Sequence, residues 1–394
     1  MPAGRNFNEG RPRAFFPAAD AAVRVNNVRM GGVLVASMPG PCEPVELREV
    51  AEPELEPDSA MLAVELSEVC GTDVHLQQGR LAGVPYPLVP GHVSVGRLEK
   101  IRGRLFDVEG REFREGDRVT FLDVHRTCHA CWHCLVAKAT TRCPARKVYG
   151  ITYGLADTLA GGWAEKVYLR PGTRCISLEG VDAARFMAGG CALPTALHAV
   201  ERADIPFGST VLVLGSGPVG LSAVALSLMR GASRVLCTGA PAQRLAAARD
   251  MGAAATLDVT LHTPEERAAW VLGETKGRGA DVCIEATGSP GAVVEAMRYA
   301  RDAGVVVVVG QYTDHGEVSF NPHADLNRKH LDVRGCWGSD FSHFYRGARL
   351  MADAARSAPW ARLELVTYPL ARAGEALEAV ASARVVKALI DPRV

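Results

Sequence analysis

Two textures of hydrophobic patterning divide the chain. From residue 32 to about 195, apolar runs are short and cut by Gly and Pro, as in Gly32–Ala36, Met61–Leu66, Gly96–Ile101 and Arg118–Leu122. Runs of that length between turn residues predict strands, and their succession predicts an all-β, barrel-like body. After residue 196, strand-like runs alternate with Ala-rich helical stretches. Val211–Leu214 precedes Val219–Met229, Arg234–Cys237 precedes Arg244–Met251, and Val282–Ile284 precedes Ala292–Ala300. Val305–Val309, five valines in succession, reads as a strand covered on both faces. Such alternation is the βαβ pattern of a doubly wound parallel sheet. From about residue 335 the mixed texture of the first part returns and ends in a strand-like Val385–Ile390.

The expected fold is therefore α/β: a doubly wound parallel-sheet (Rossmann) domain inserted in a split, β-rich, barrel-like domain. The expected boundaries are an extension at 1–29, a first barrel part at 30–195 with a cysteine lobe at 125–145, the doubly wound domain at 196–334 and a second barrel part at 335–394. In the extension Arg5, Arg11, Arg13 and Arg24 outnumber Glu9 and Asp20, and no periodicity stands out. It reads as an appendage, either a tail or the product of a start codon upstream of Met30.

Composition narrows the class. With 394 residues the chain has room for two cores, and 48% apolar and 22% charged residues are ordinary for a globular protein. Forty-four basic residues balance 44 acidic ones, so no net charge favours nucleic acid or an anionic membrane. The stretch Val211 to Met229 approaches membrane-span length, but Gly215, Gly217, Pro218 and Gly220 break it where a buried strand would turn into a buried helix. No membrane span is expected. No secretory signal pattern opens the chain, and Cys175, Cys237, Cys283 and Cys336 sit singly in apolar stretches, as buried free thiols do. Cys42 has no evident partner. A reducing cytoplasm is the expected compartment.

The chemistry lies in three constellations. Cys128, Cys131, Cys134 and Cys143 have the count and softness to close all four corners of a zinc tetrahedron, which makes a structural site. His125, His129 and His133 crowd the same loop and read as solvated neighbours. Taken singly, Cys70 and Cys191 read as buried free thiols and His92 as a core histidine. Taken together, they are three N/S ligands that would leave one zinc corner open, as in a catalytic site. The third constellation, Gly215-Ser216-Gly217-Pro218-Val219-Gly220, follows an apolar strand. In it Gly215 permits a tight turn, Gly217 lets backbone approach a pyrophosphate, and Gly220 permits close helix packing. The helix beginning near Pro218 and Val219 would aim amides at the phosphates.

The order of these motifs carries a family likeness. Cys70-Gly71-Thr72-Asp73-Val74-His75, Gly91-His92, the four-cysteine lobe, Cys191 with Thr195 four residues on, and the Gly-rich turn together resemble the zinc-containing medium-chain alcohol dehydrogenases over nearly all of residues 30–394. The resemblance implies a catalytic domain split around a dinucleotide-binding domain, two zinc ions per chain, and NAD(P). It implies that Cys70, His92 and Cys191 hold the catalytic zinc and that Asp73 orients His92 from behind. Thr72 would hydrogen-bond the substrate oxygen and pass its proton through the cofactor ribose to His75, both being chemically suited to the task. Thr195 would contact the nicotinamide. The alternative for Thr72 and His75 is a local turn cap and a surface residue.

Two features depart from that pattern. The family usually places Glu directly after the ligand histidine, as an alternative inner ligand during exchange, whereas this chain has Val93. Its absence predicts a drier site and a stronger electrophile. The last gap of the cysteine lobe, Leu135–Arg142, is eight residues where seven is usual.

The cofactor is read from a missing charge. Counting back from Met251-Gly252-Ala253, the acid that would hold ribose hydroxyls for NAD falls at Gly239, and Thr238-Gly239-Ala240-Pro241 offers no carboxylate. Glycine there spares a 2′-phosphate from repulsion, and Arg244 would reach it, which tips the expectation from NAD to NADP. Arg244 as a solvated helix-opening residue is the alternative. Thr287 and Gly310 fall where the sheet's carboxyl ends should line the cofactor crevice.

The expected function is hydride transfer between NAD(P) and an alcohol/carbonyl pair, in a homo-oligomer of two or four chains, with a small-molecule substrate and no nucleic-acid or membrane partner. Gln77, Gln78, Tyr86 and Trp337–His343 are polar enough to meet a hydroxylated or amine-bearing substrate, and the last segment would equally serve an interface. A reductase of conjugated C=C or C=N bonds, with zinc incidental, is the alternative that Val93 favours and the intact ligands oppose. A non-catalytic nucleotide-binding protein would have lost those ligands.

Overall fold

The last strand of the chain lies beside one near its beginning. In the computed structural model, which describes residues 32–394 and the short strand Val25–Asn26, Lys387–Asp391 pairs antiparallel with Ser59–Val69, placing Leu389 opposite Glu68. Ser59–Val69 is the centre of the β-rich part. It pairs on its other edge with Ser94–Arg102, and Lys166–Leu169 joins it as well. Ten of its eleven residues are buried, so the apolar run read from Met61 to Leu66 extends to both sides. The expected extension at 1–29 lies outside the described residues apart from Val25–Asn26.

The inserted part is a six-stranded sheet, parallel throughout. Its spatial order is Ala255–Asp258, Arg234–Gly239, Thr210–Leu214, Ala280–Glu285, Ala300–Val308 and Asp332–Gly335. Counted along the chain this is the order 3-2-1-4-5-6 of a dinucleotide-binding sheet, whose crevice opens where Thr210–Leu214 meets Ala280–Glu285. Val211, Leu212 and Val213 are fully buried, as are Val306 and Val307 of the valine run, because helices cover both faces. Helix Ala192–Ala203 leads from the barrel part into this sheet.

Among the described residues, no helix is long and apolar enough to cross a membrane. The run from Val211 divides, as its glycines predict, into strand Thr210–Leu214 and helix Pro218–Met229. Cys175, Cys237 and Cys283 are buried free thiols that burial pushes up to about 12, Cys336 is likewise buried, and Cys42 is exposed.

Candidate active site

Three separate segments deliver the trio. Cys70 ends strand Ser59–Val69 and caps helix Gly71–Gln77, where its Sγ accepts the Thr72 N–H at 3.3 Å. His92 precedes strand Ser94–Arg102, and Cys191 opens helix Ala192–Ala203. The Cys70 Sγ, His92 Nε2 and Cys191 Sγ atoms lie within 4.8 Å of one another, with Cys70 Sγ 3.8 Å from His92 Nε2. Two ligand bonds of zinc length at a tetrahedral angle span about 3.5–3.8 Å. The donor set therefore fits zinc. The Cys70 thiol is held well below its ordinary range, first by the Cys191 thiol, while the same contact and burial push Cys191 well above it. Two thiols sharing one proton are what a cation replaces on binding.

Asp73 does not do what the resemblance implies. It is fully buried, but its Oδ2 accepts the Cys70 N–H at 2.8 Å and so completes the capping box of helix Gly71–Gln77. Asp73 Oδ1 and His92 Nδ1 are both buried without a partner. The carboxylate is committed to the helix end, and the expected hydrogen bond to His92 is not made.

The lobe brings its four cysteines together in the same way. Cys131 Sγ lies 3.6 Å from Cys134 Sγ and Cys143 Sγ 3.5 Å from Cys128 Sγ, and all four sulfurs fall within 4.8 Å. The eight-residue gap contains the short turn Thr140–Arg142, which leads directly into Cys143. His125 is not a solvated neighbour. It is half-buried, with Nδ1 2.5 Å from Tyr153 Oη and Nε2 3.0 Å from Pro171 O. His129 is exposed.

The nucleotide residues gather at the sheet's switch point. Gly220 packs so closely on the turn that a Cβ there would lie 1.8 Å from Gly215 O, whereas a Cβ on Gly217 would meet nothing within 4 Å. That opening is where a pyrophosphate would approach the start of helix Pro218–Met229, which includes Val219. A Cβ on Gly310 would lie 2.6 Å from Thr287 N, so these two close the opposite wall. Thr287 is held by Glu285, whose Oε1 accepts both its N–H and its hydroxyl at 2.6 Å.

A cavity of about 210 Å³ joins the two constellations, lined among others by Cys70, His75, Pro218 and Arg244. Arg244 is not simply solvated. One Nη donates to Val385 O at 3.2 Å, its Nε is buried without a partner, and burial lowers its pKa. Gly239 ends strand Arg234–Gly239, beside Ser216. Thr195 lies one turn beyond Cys191, its hydroxyl donating to Cys191 O at 3.0 Å.

His75 faces a cluster that the sequence reading did not find. Thr313 Oγ1 lies 3.5 Å from His75 Nδ1 and 3.0 Å from His315 Nε2, and Arg80 contacts the other nitrogen of His315 at 3.1 Å. Burial first, then the His315 and Arg80 charges, holds the His75 pKa below its ordinary value. Tyr312 stands 6.3 Å from the His75 ring and stacks on Trp337 at 5.6 Å. Of the segments expected to meet substrate, only Trp337 joins this wall. Gln77 donates to Glu43 O, Tyr86 donates to Leu76 O, and Asp340 and His343 cap helix Phe341–Ala352.

A family model for the alcohol dehydrogenase GroES-like domain matches residues 56–180, and one for zinc-binding dehydrogenases matches residues 218–353. The 5-exo-hydroxycamphor dehydrogenase of Pseudomonas putida is 31% identical over 350 residues, 88% of this chain and 95% of its own. The chain belongs to the zinc-containing medium-chain alcohol dehydrogenases. It is an NAD(P)-linked alcohol dehydrogenase. The erythritol/L-threitol dehydrogenase of Mycolicibacterium smegmatis is 29% identical over 357 residues, covering 86% of this chain and 91% of its own. Among solved structures, an alcohol dehydrogenase from Thermotoga maritima superposes with a TM-score of 0.85 at 29% identity, over 91% of this dehydrogenase and 99% of its own chain. A zinc-binding dehydrogenase from Sinorhizobium meliloti, solved with NADP bound, gives 0.78 at 27% identity, over 92% and 99%.

Two site residues of this dehydrogenase escaped the sequence reading. Glu68 and Lys387 are both buried and form an ion pair of 2.7 Å beside Cys191. The available signal was a single lysine inside the apolar run Val385–Ile390 and a glutamate two residues before Cys70, each of which demands a partner when buried.

Proposed function

We propose that this dehydrogenase interconverts an alcohol with its carbonyl at a zinc held by Cys70, His92 and Cys191, with a second zinc in the cysteine lobe. The observation that carries the reading is the convergence of the three donor atoms within 4.8 Å, with Cys70 lining a cavity that Pro218 of the nucleotide turn also lines. Zinc held there supplies Lewis acidity toward a substrate oxygen. Thr72, two residues from Cys70, donates to and accepts from that oxygen through its hydroxyl. His75, kept neutral by its surroundings, takes the proton and passes it toward solvent along Thr313 and His315. Tyr312 and Trp337 form the apolar wall that keeps water from the hydride path.

The Gly215–Gly220 turn, Thr195, Thr287 and Gly310 hold the cofactor across the crevice. Gly239 without a carboxylate and Arg244 without an acidic partner favour NADP. Buried free thiols support a reducing cytoplasm, and exposed Trp132, Leu135 and Val136 on the lobe support assembly into a homo-oligomer.

The test is zinc per chain in wild type and Cys70→Ser, with NADPH and NADH oxidation followed against aldehydes and ketones. About two zincs falling to about one, with loss of carbonyl reduction, is the expected result. Activity untouched by the substitution would instead favour reduction of a conjugated C=C or C=N bond on the same fold.

A further inference from the structure

All three ligand segments meet at one residue. Glu68 lies two residues before Cys70, its N–H donates to Val93 O at 3.0 Å beside His92, and its Oε2 accepts the Cys191 N–H at 2.7 Å. Its Oε1 pairs with Lys387 Nζ at 2.7 Å, and both side chains are at most 2% exposed. Lys387 in turn donates to Ala188 O at 3.3 Å, at the end of the helix that runs into Cys191. The fit leaves no slack. A Cβ on Gly190 would lie 2.2 Å from Glu68 Oε2 and 2.5 Å from Lys387 Nζ, and Gly190 has a φ of +48°. The backbone that presents Cys191 is thus moulded around this carboxylate.

Two charges are expensive to bury, and a buried pair adds little to stability over an apolar pair of the same shape. The stability of the barrel therefore does not account for the pair. Its contacts do: one oxygen is spent on the amide of a ligand, the other on a lysine that holds the carboxylate in place. Residue 93 carries no carboxylate, and Val93 is 2% exposed among apolar neighbours. The adjacent strand brings one to the same region from position 68.

We propose that Glu68, anchored by Lys387, is a positioning residue of the Cys70–His92–Cys191 site, fixing Cys191 through its backbone amide and placing a negative charge behind the ligands. This inference rests on the trio holding zinc. Partners of this kind around metal ligands are worth roughly 10–100-fold in metal affinity.

The experiment is zinc release to a chelator from the full chain, where Cys70→Ser identifies the phase that belongs to the trio. Glu68→Leu/Lys387→Met replaces the ion pair by apolar residues of similar length, and Glu68→Gln/Lys387→Met retains an acceptor for the Cys191 amide. The apolar variant should keep the melting temperature and the lobe zinc while releasing the trio zinc about 10–100-fold faster. The Gln variant should fall between it and wild type, and cobalt in place of zinc should show an altered thiolate absorption in the apolar variant. Equal release from the trio in wild type and the apolar variant would overturn the proposal. Should the apolar variant not fold, Glu68→Asp reads the same reach with the charge kept, because the shortened side chain cannot hold Lys387 and the Cys191 amide together. Wild-type release from Glu68→Asp would then overturn it. A wild type holding zinc only in the lobe would remove the site itself, which is a separate failure.

Discussion

Gly239 and Ser216 are fitted so closely that a Cβ on residue 239 would lie 2.3 Å from Ser216 Oγ and 2.8 Å from Ser216 N. Residue 239 is where a ribose-binding acid would stand, so the contact bears on cofactor choice. Gly239→Asp should fail to strengthen NAD binding, because any side chain there pushes on the Gly-rich turn before its carboxylate reaches a ribose. We expect Gly239→Ala alone to raise the cofactor KM and to cost about 1–3 kcal/mol of stability, as overpacking does. Ser216→Gly in the same chain should recover part of both. Cofactor titrations and thermal melts of the three variants check this.

His75 should govern the acid limb of the pH profile. Its folded pKa is depressed by burial, His315 and Arg80, and Cys70 opposes the shift. The imidazole is therefore neutral and able to accept a proton down to a pH below its ordinary 6.5. Alcohol oxidation should stay at its plateau through that value and fall only at lower pH. Arg80→Met removes a permanent cation that helps depress the His75 pKa and should move the limb upward, with kcat/KM measured from pH 5 to 8. The same shift enters stability with a definite sign. Below about 6.5 the unfolded chain takes up the proton more readily than the folded one, so this residue's contribution to stability falls as pH drops through that window and is flat above it.

The cysteine lobe should separate from catalysis. Cys143→Ser removes one of four sulfurs held within 4.8 Å and leaves the trio untouched. Zinc should fall from about two to about one per chain with a lowered melting temperature, while the remaining zinc still supports turnover at low temperature. Metal analysis beside activity at two temperatures decides it. Complete loss of both zincs would mean that the lobe and the trio fold as one unit.

Trp337 is the removable part of the wall. It stacks on Tyr312 within 16° of parallel, and its indole N–H donates to Tyr312 O at 3.1 Å. Trp337→Ala frees Tyr312 on that side and should raise the substrate KM about tenfold, roughly 1.4 kcal/mol. Trp337→Phe, which retains a stacking face, should cost less. Steady-state kinetics with small and bulky alcohols distinguish lost contact from a widened pocket.

What the sequence made legible follows from how local each signal is. The doubly wound sheet announces itself because a strand covered by helices is a continuous apolar run, as in Val305–Val309, and because the Gly-rich turn sits where strand becomes helix. The two clusters of candidate ligands are legible for the same reason: their residue types are rare and each carries its neighbours with it. Asp73 misled because a carboxylate three residues after a helix cap can serve the cap instead of a distant imidazole, and both uses share one spacing. Glu68 and Lys387 were invisible because what matters about them is a pairing across 319 residues, set by the register of Lys387–Asp391 against Ser59–Val69. The cluster of Thr313, His315 and Arg80 around His75 was missed likewise, since only the closed fold brings residue 313 to residue 75.

The placement of Lys387 also sets an order of events during synthesis. Domains fold as units while the chain emerges, amino-terminal parts first. All three ligands of the trio, the whole lobe and the entire nucleotide sheet leave the ribosome before the strand Lys387–Asp391 does. Until that strand docks beside Ser59–Val69, Glu68 lacks its lysine partner, and the amide of Cys191 has only a half-anchored acceptor. A nascent chain can hence complete its nucleotide sheet while the surroundings of Cys191 are still unfinished. On the role proposed for Glu68, a chain broken off before Lys387 would carry every cysteine and histidine of the trio and still leave the carboxylate at the Cys191 amide without its anchor.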